Sequence, residues 1–297
     1  MWVRARITAA IAGHPRDSFS SAMASFPTPP PQDGHNRASA YRRGWAALRH
    51  WAMQIIAAIT FYTALPVPGH WPMNFQGIAR YAPLVGIGIG GLLSLGDGGL
   101  VLLGMPAATR SALVVAAGIG LTGGLHLDGA MDTADGLAVP DPARRLAVMA
   151  DSRTGAFGAM AAVVIVGIKV LALADLTQGR WFALMAVAGW GRWGQVVAIA
   201  RYPYLKTEGK GAFHKATAHP ATDWLLGLGL LLGFGLLGGF LGGGLMAGGT
   251  TLGGFALAVL VGAWFNRQLG GHTGDTYGAV VEWTEALLLA LMTVLQD

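Results

Sequence analysis

Cysteine is missing from this chain of 297 residues. That removes disulfides, thiolate metal ligands and cysteine nucleophiles from every reading of it. Charge is scarce too: Asp, Glu, Lys and Arg together make up 12% of the residues, about half the share found in a soluble globular domain. The first dozen residues lack a secretory h-region, since their arginines flank only a short apolar patch. No glycine-rich loop follows a strand pattern, which excludes a nucleotide cradle of that type.

What is abundant is apolar sequence. Some 53% of the residues are hydrophobic, 46 are glycine, and the mean hydropathy is +0.50. Several apolar runs reach or approach the ~20 residues that carry a helix across a bilayer. The expected fold is therefore all-α, a polytopic transmembrane bundle of seven to eight spans with the bilayer as its partner. The runs lie at about residues 50–68, 82–104, 111–125, 157–176, 181–200, 224–247, 251–265 and 276–295. Asp97 suggests that the second of them ends or breaks there. Gly235, Gly239 and Gly243 recur every four residues, as do the pairs Gly244/Gly248 and Gly249/Gly253, a pattern of close helix packing in lipid.

The net charge of +5 would suggest nucleic acid in a soluble domain. In a membrane protein it is first explained by orientation, so no nucleic-acid partner is expected. The most basic loop, residues 201–219, is assigned to the cytoplasm, and the acidic window at residues 123–158 lies two spans away on the same side. The basic flank before the first run sits three spans from that window, a parity that does not fit. Residues 1–40, proline-rich and polar, have too little apolar surface for a core and read as a disordered extension; residues 41–297 form the membrane-embedded domain.

Asp128, Asp132, Asp135, Asp141 and Asp151 gather within that single window. At ~100° per residue, the first three (i, i+4, i+7) share a narrow arc of one helix face. Such a stripe repels itself unless a divalent cation, basic side chains or open solvent relieves it. Asp141-Pro142 reads as an N-cap followed by a first-turn proline, opening a second helix with Arg144 and Arg145 that ends near Asp151-Ser152-Arg153. Carboxylates suited to a hard cation, with arginines nearby for phosphate, describe a phosphoryl-transfer site.

A second acidic cluster, Asp275, Glu282 and Glu285, lies on one broad face of the last apolar run. Glutamates that deep require a polar cavity or a partner unless they simply sit at the headgroup level; as a second wall of the same site, two roles suit them: metal ligands, or holders of a basic residue. Lys169 and Arg192 are the basic residues within apolar runs, and Arg192 is expected to pair with a carboxylate or a phosphate.

The stretch GGLHLDGAMDTADGL (residues 123–137), followed by MADSRTGAFG (149–158), resembles the signature of the cobalamin synthase family, the adenosylcobinamide-GDP ribazoletransferases. Further similarity lies in FYTALPVP (61–68), PLVGIGIGG (83–91) and GGHTGDTYGAVVEWTEALL (270–288). The resemblance implies transfer of the adenosylcobinamide-phosphoryl group of adenosylcobinamide-GDP to α-ribazole or its 5′-phosphate, with release of GMP. It also implies Mg²⁺ on Asp128, Asp132 and Asp135, one of these or Asp151 as the base, and Arg153 with Arg144, Arg145 and Ser152 at the phosphates. Arg192, Asp275, Glu282 and Glu285 would form a second wall, and the enzyme would sit in the inner or plasma membrane with its site at the cytoplasmic face.

Two rivals rank lower. A CDP-alcohol phosphotransferase would share the aspartate-rich helix, but its Ala-Arg arrives late here, at Ala143-Arg144, and its later GxxxDxxxD is absent. A cation-coupled transporter would show pseudo-repeated halves, and none is found.

Overall fold

The computed structural model describes residues 35–207, 209–241 and 244–296. Residues 1–34 of the expected extension lie outside them, and residues 35–40 are helical. The chain divides into two compact units, Met1–Ile78 and Ala79–Asp297. In the first, helix α1 (His35–Tyr62) is followed by a loop that folds back on it. Gln54 Nε2 donates to the Gln76 carbonyl at 2.8 Å, and the Asn74 amide donates to the Met53 carbonyl at 3.2 Å. The first expected span falls in this helix. Its apolar run, residues 55–62, is far shorter than the ~20 residues a span needs, and α1 is not among the helices long and apolar enough to cross a membrane. By length and apolar content, then, it is not one of the candidate spans that precede the acidic window.

The second unit contains α2 (Ala82–Leu102), α3 (Ala107–Leu121), α4 (Leu125–Leu137), α5 (Pro142–Val148), α6 (Ala156–Asp175), α7 (Arg180–Arg201), α8 (Lys210–Thr217), α9 (Asp223–Phe240), α10 (Gly244–Leu269) and α11 (Gly274–Leu295). Six of these, α2, α6, α7, α9, α10 and α11, are long and apolar enough to span; α3 and α4 together would make a seventh, broken by a bend of 90°. The tally is six or seven, against the seven to eight expected. Among the described residues the only β-type pairing is the isolated bridge between Tyr204 and His272. This is an all-helical, multi-pass membrane bundle.

Its centre is α7. Of the six it is the least apolar and the most deeply buried, and the two facts belong together: a helix screened from lipid by its neighbours can carry polar groups that a peripheral one cannot. α2, α9, α10 and α11 pack around it. Trp190 and Trp193 meet edge to face at 5.3 Å in a core shared with Phe182, Leu231, Leu288 and Met292. The Trp193 indole N–H, which needs a partner when buried, donates to the Trp224 carbonyl at 2.9 Å. Outside, Leu95, Leu102, Val163, Leu171, Leu236 and Leu252 are exposed. In water such a surface would drive association; in a bilayer, lipid tails solvate it.

Three sequence expectations change. Asp97 does not end α2, which continues to Leu102. Its buried carboxylate is held by Arg180 Nε and Nη2 at 2.9 and 2.7 Å and by Arg110 at 2.8 Å, so the helix can carry it. The ninth helix ends at Phe240 and the tenth begins at Gly244, so the break does not fall after residue 247. The four-residue glycine pattern is only partly used: Gly235 meets Thr251 and Gly253 meets Leu291, whereas Gly239, Gly244 and Gly248 face open space. The closest backbone approach in the core is instead that of Gly86 and Gly90 on α2 to the carbonyls of Ala188 and Leu184 on α7.

Candidate active site

The acidic stripe is placed by two glycines. Gly123 and Gly124 both have positive φ (61° and 69°), a conformation that side chains with a Cβ resist, and together they turn the chain through the bend between α3 and α4. α4 then lies across α11 and α6. The crossing with α11 is close. A Cβ on Gly129 would stand 2.6 Å from the Asp275 carbonyl oxygen, and one on Gly278 would stand 2.8 Å from that of His126. Asp275, at the start of α11, therefore sits against the residue adjoining Asp128. At this end of α11 the backbones that carry the two acidic clusters are in contact.

Asp128 is exposed, while Asp132 and Asp135 are half-buried; Asp128 and Asp132 each have a polar or electrostatic partner within the protein. Asp135 has a specific role. Its two carboxylate oxygens accept the amides of Gly155 and Gly158 at 2.7 and 2.8 Å. These are the leading amides of α6, which have no partner inside the helix, and a carboxylate there also complements the helix dipole. A Cβ at either glycine would collide with that carboxylate. Asp135 thus binds the two halves of the motif, residues 123–137 and 149–158, into one structure.

The connecting helix follows the sequence. Asp141 caps α5 by accepting the Ala143 amide at 3.0 Å, with Pro142 in the first turn. Arg145 turns away from the aspartates and donates to the carbonyls of Val139 and Gln268 at 3.1 and 3.0 Å. Arg144 and Ser152 are exposed. Arg153 folds onto Asp151, with Nη2 donating at 2.7 Å and the backbone amide at 3.0 Å. These hydrogen bonds hold the Asp151 carboxyl down at about 2, which makes it a weak proton acceptor in this arrangement.

Glu282 and Glu285 take the second of their two expected roles. Lys169 Nζ donates to both, at 2.7 and 2.6 Å, and Arg192 Nη1 donates to Glu285 at 2.8 Å. Two cations and two anions cancel in the interior, joining α6, α7 and α11 beneath the aspartate helix. Arg192 finds the carboxylate it was expected to find. Sequence reasoning missed Lys206, which pairs with Asp275 at 2.9 Å. Its loop is pinned to the turn before α11 by the Leu205 and His272 amides, donating at 2.8 Å to His272 and Pro203 respectively. The only sequence signal for that pairing was the basic character of residues 201–219.

Among the described residues no three Asp, Glu or His side chains converge as a metal cage would need. Mg²⁺ rarely uses such a cage; it is held by one or two carboxylates and completed by water and substrate phosphates. Asp128, exposed, and Asp132, half-buried one helical turn further along α4, fit that description.

The profile described as cobalamin-5-phosphate synthase matches residues 54–293. The chain belongs to the cobalamin-5-phosphate synthase family. The adenosylcobinamide-GDP ribazoletransferase of Trichormus variabilis is 57% identical over 245 residues, covering 82% of this chain and 97% of that one. That of Synechococcus elongatus is 51% identical over 246 residues, 81% and 96% of the two chains. A more distant relative of the same name, from Roseiflexus, is 36% identical over 244 residues, 80% and 88%. No solved structure matches the chain.

Proposed function

We propose that this protein transfers the adenosylcobinamide-phosphoryl group of adenosylcobinamide-GDP to α-ribazole or its 5′-phosphate, releasing GMP. The observation that carries the reading is the bond of Asp135 to the start of α6, which ties the aspartate helix to the segment that directly follows the Asp151–Arg153 turn. In the reaction a ribose hydroxyl of the acceptor attacks the phosphorus on the cobinamide side of the diphosphate. The new P–O bond forms, the bridging P–O bond breaks, and GMP leaves with the bridging oxygen; the hydroxyl proton passes to Asp128 or Asp132. The nucleophile is weak and the diphosphate heavily charged, so the site must supply alignment and positive charge.

Asp128 and Asp132 would hold Mg²⁺, which when bound neutralises charge on the diphosphate. Asp135 serves by position. Arg153, with its guanidinium largely exposed, exchanges Asp151 for a substrate phosphate, and Arg144 stands in solvent at the same end. We further assign the site to the cytoplasmic face of the inner or plasma membrane, because the basic loop at residues 201–219 meets α11 there.

Membranes containing the full chain, given adenosylcobinamide-GDP, α-ribazole and Mg²⁺, should release GMP and yield a completed corrinoid. Omitting the acceptor or adding EDTA should abolish both products, and restored Mg²⁺ should return them. GMP release that ignores α-ribazole, or turnover of CDP-alcohols instead, would overturn the reading.

A further inference from the structure

The back of α4 has a different character. Ala130, Thr133, Ala134 and Leu137 line a cavity of about 680 Å³, and these positions lie roughly 140–240° around the helix from Asp128. Trp264 and Leu260 from α10 and Trp283 from α11 supply the other walls. The Thr133 hydroxyl is spent on the Gly129 carbonyl at 2.7 Å, so water would find few partners here. Leu260 and Trp264 are exposed, which opens the cavity to the bundle surface. At one end it is lined by Arg267, whose guanidinium has no bonding partner among the described residues. Arg145 reaches the same end and donates only to carbonyls.

The geometry points to a bound phospholipid: an acyl chain in the cavity, with an anionic headgroup on Arg267. The bilayer is the solvent of this surface, and it supplies long apolar chains that end in phosphate. A partner helix, about 10 Å across, fills about 400 Å³ per turn, so the cavity holds fewer than two turns of one. A second copy docking through a helix would find too little to grip, whereas a flexible chain can thread the space. Two guanidiniums without a carboxylate at the mouth select an anionic headgroup over a zwitterionic one. The ligand would brace the aspartate helix from behind. This inference stands apart from the reaction proposed above.

The test uses the full chain in phosphatidylcholine nanodiscs doped with acyl-brominated phosphatidylglycerol or acyl-brominated phosphatidylcholine, read by tryptophan quenching. Ten tryptophans are present, so the signal lost in the Trp264→Phe/Trp283→Phe double variant isolates the two in the cavity. Phosphatidylglycerol should quench that component at a concentration at least threefold lower than phosphatidylcholine does. Arg267→Gln should erase the preference. Ala263→Leu, which fills the cavity, should protect the component from both lipids, and Ala134→Val serves if that variant fails to insert. Equal quenching by the two lipids, or a preference that survives Arg267→Gln, would overturn the proposal. So would a Leu260→Cys variant that cross-links to a second copy and thereby shields both tryptophans.

Discussion

Two sets of acidic side chains lie within a few turns of each other and do opposite things. Glu282 and Glu285 are closed in, each within hydrogen-bonding distance of a buried cation. The stripe on α4 opens to solvent at Asp128 and spends Asp135 on backbone amides. In the interior, leaving one partner of a buried pair alone costs far more than the pair itself contributes, so the glutamates answer to stability. Where the stripe meets solvent, water screens the charge, so a carboxylate there can exchange its partner for a substrate at little cost. Burial separates the two roles where spacing along the helix does not.

The comparison breaks most visibly at Lys169. Lys169→Met strands Glu282 and should destabilise the protein by about 3–5 kcal/mol, seen as a large fall in the thermal midpoint in detergent. Adding Glu282→Gln should recover part of that loss. An unchanged midpoint for Lys169→Met would mean that the glutamates are not neutralised as described. Next come Asp128→Asn and Asp132→Asn. Each should lower GMP formation by ~10²-fold or more with the thermal midpoint unmoved, and near-wild-type turnover in both would remove the metal assignment. Asp135→Asn should behave as a hybrid, losing activity together with about 1.5–3 kcal/mol of stability. Its signature is faster tryptic cleavage at Arg153, because the turn before α6 is no longer held. The smallest effect belongs to Thr133→Ala, on the face of α4 away from the stripe. Turnover should stay within about twofold and stability within about 1 kcal/mol, and a larger drop in turnover would show that the stripe does not act alone.

Much of this was legible in the residues. The Asp141-Pro142 cap, the shared face of the aspartates and the multi-pass helical class all rest on local rules of spacing and composition, and they reappear in the structure. What stayed hidden depends on distance along the chain. Asp135 finds its donors 20 and 23 residues away, across a helix and two turns, and nothing at Asp135 itself announces them. Asp97 looked like the end of a helix because its neutralising arginines come from α3 and α7. The glycines misled for another reason: lipid and helix are equally apolar, so the sequence does not say which of them Gly244 or Gly248 will face. α1 was overcounted because a short apolar run resembles the end of a longer one.

The buried pairing has a consequence for how the protein is made. Lys169 leaves the ribosome 113 and 116 residues before its glutamates, and Arg192 precedes Glu285 by 93. At synthesis rates of about 5–20 residues per second, both cations wait on the order of ten seconds for their counter-charges. A lone Arg or Lys at mid-bilayer costs roughly 2.5–3.5 kcal/mol on insertion, so α6 and α7 spend that interval poorly held in the membrane. α11 is therefore the helix that secures the middle of the bundle. A nascent chain arrested before α11 should leave α7 extractable by alkaline carbonate, and completion of α11 should make it resistant.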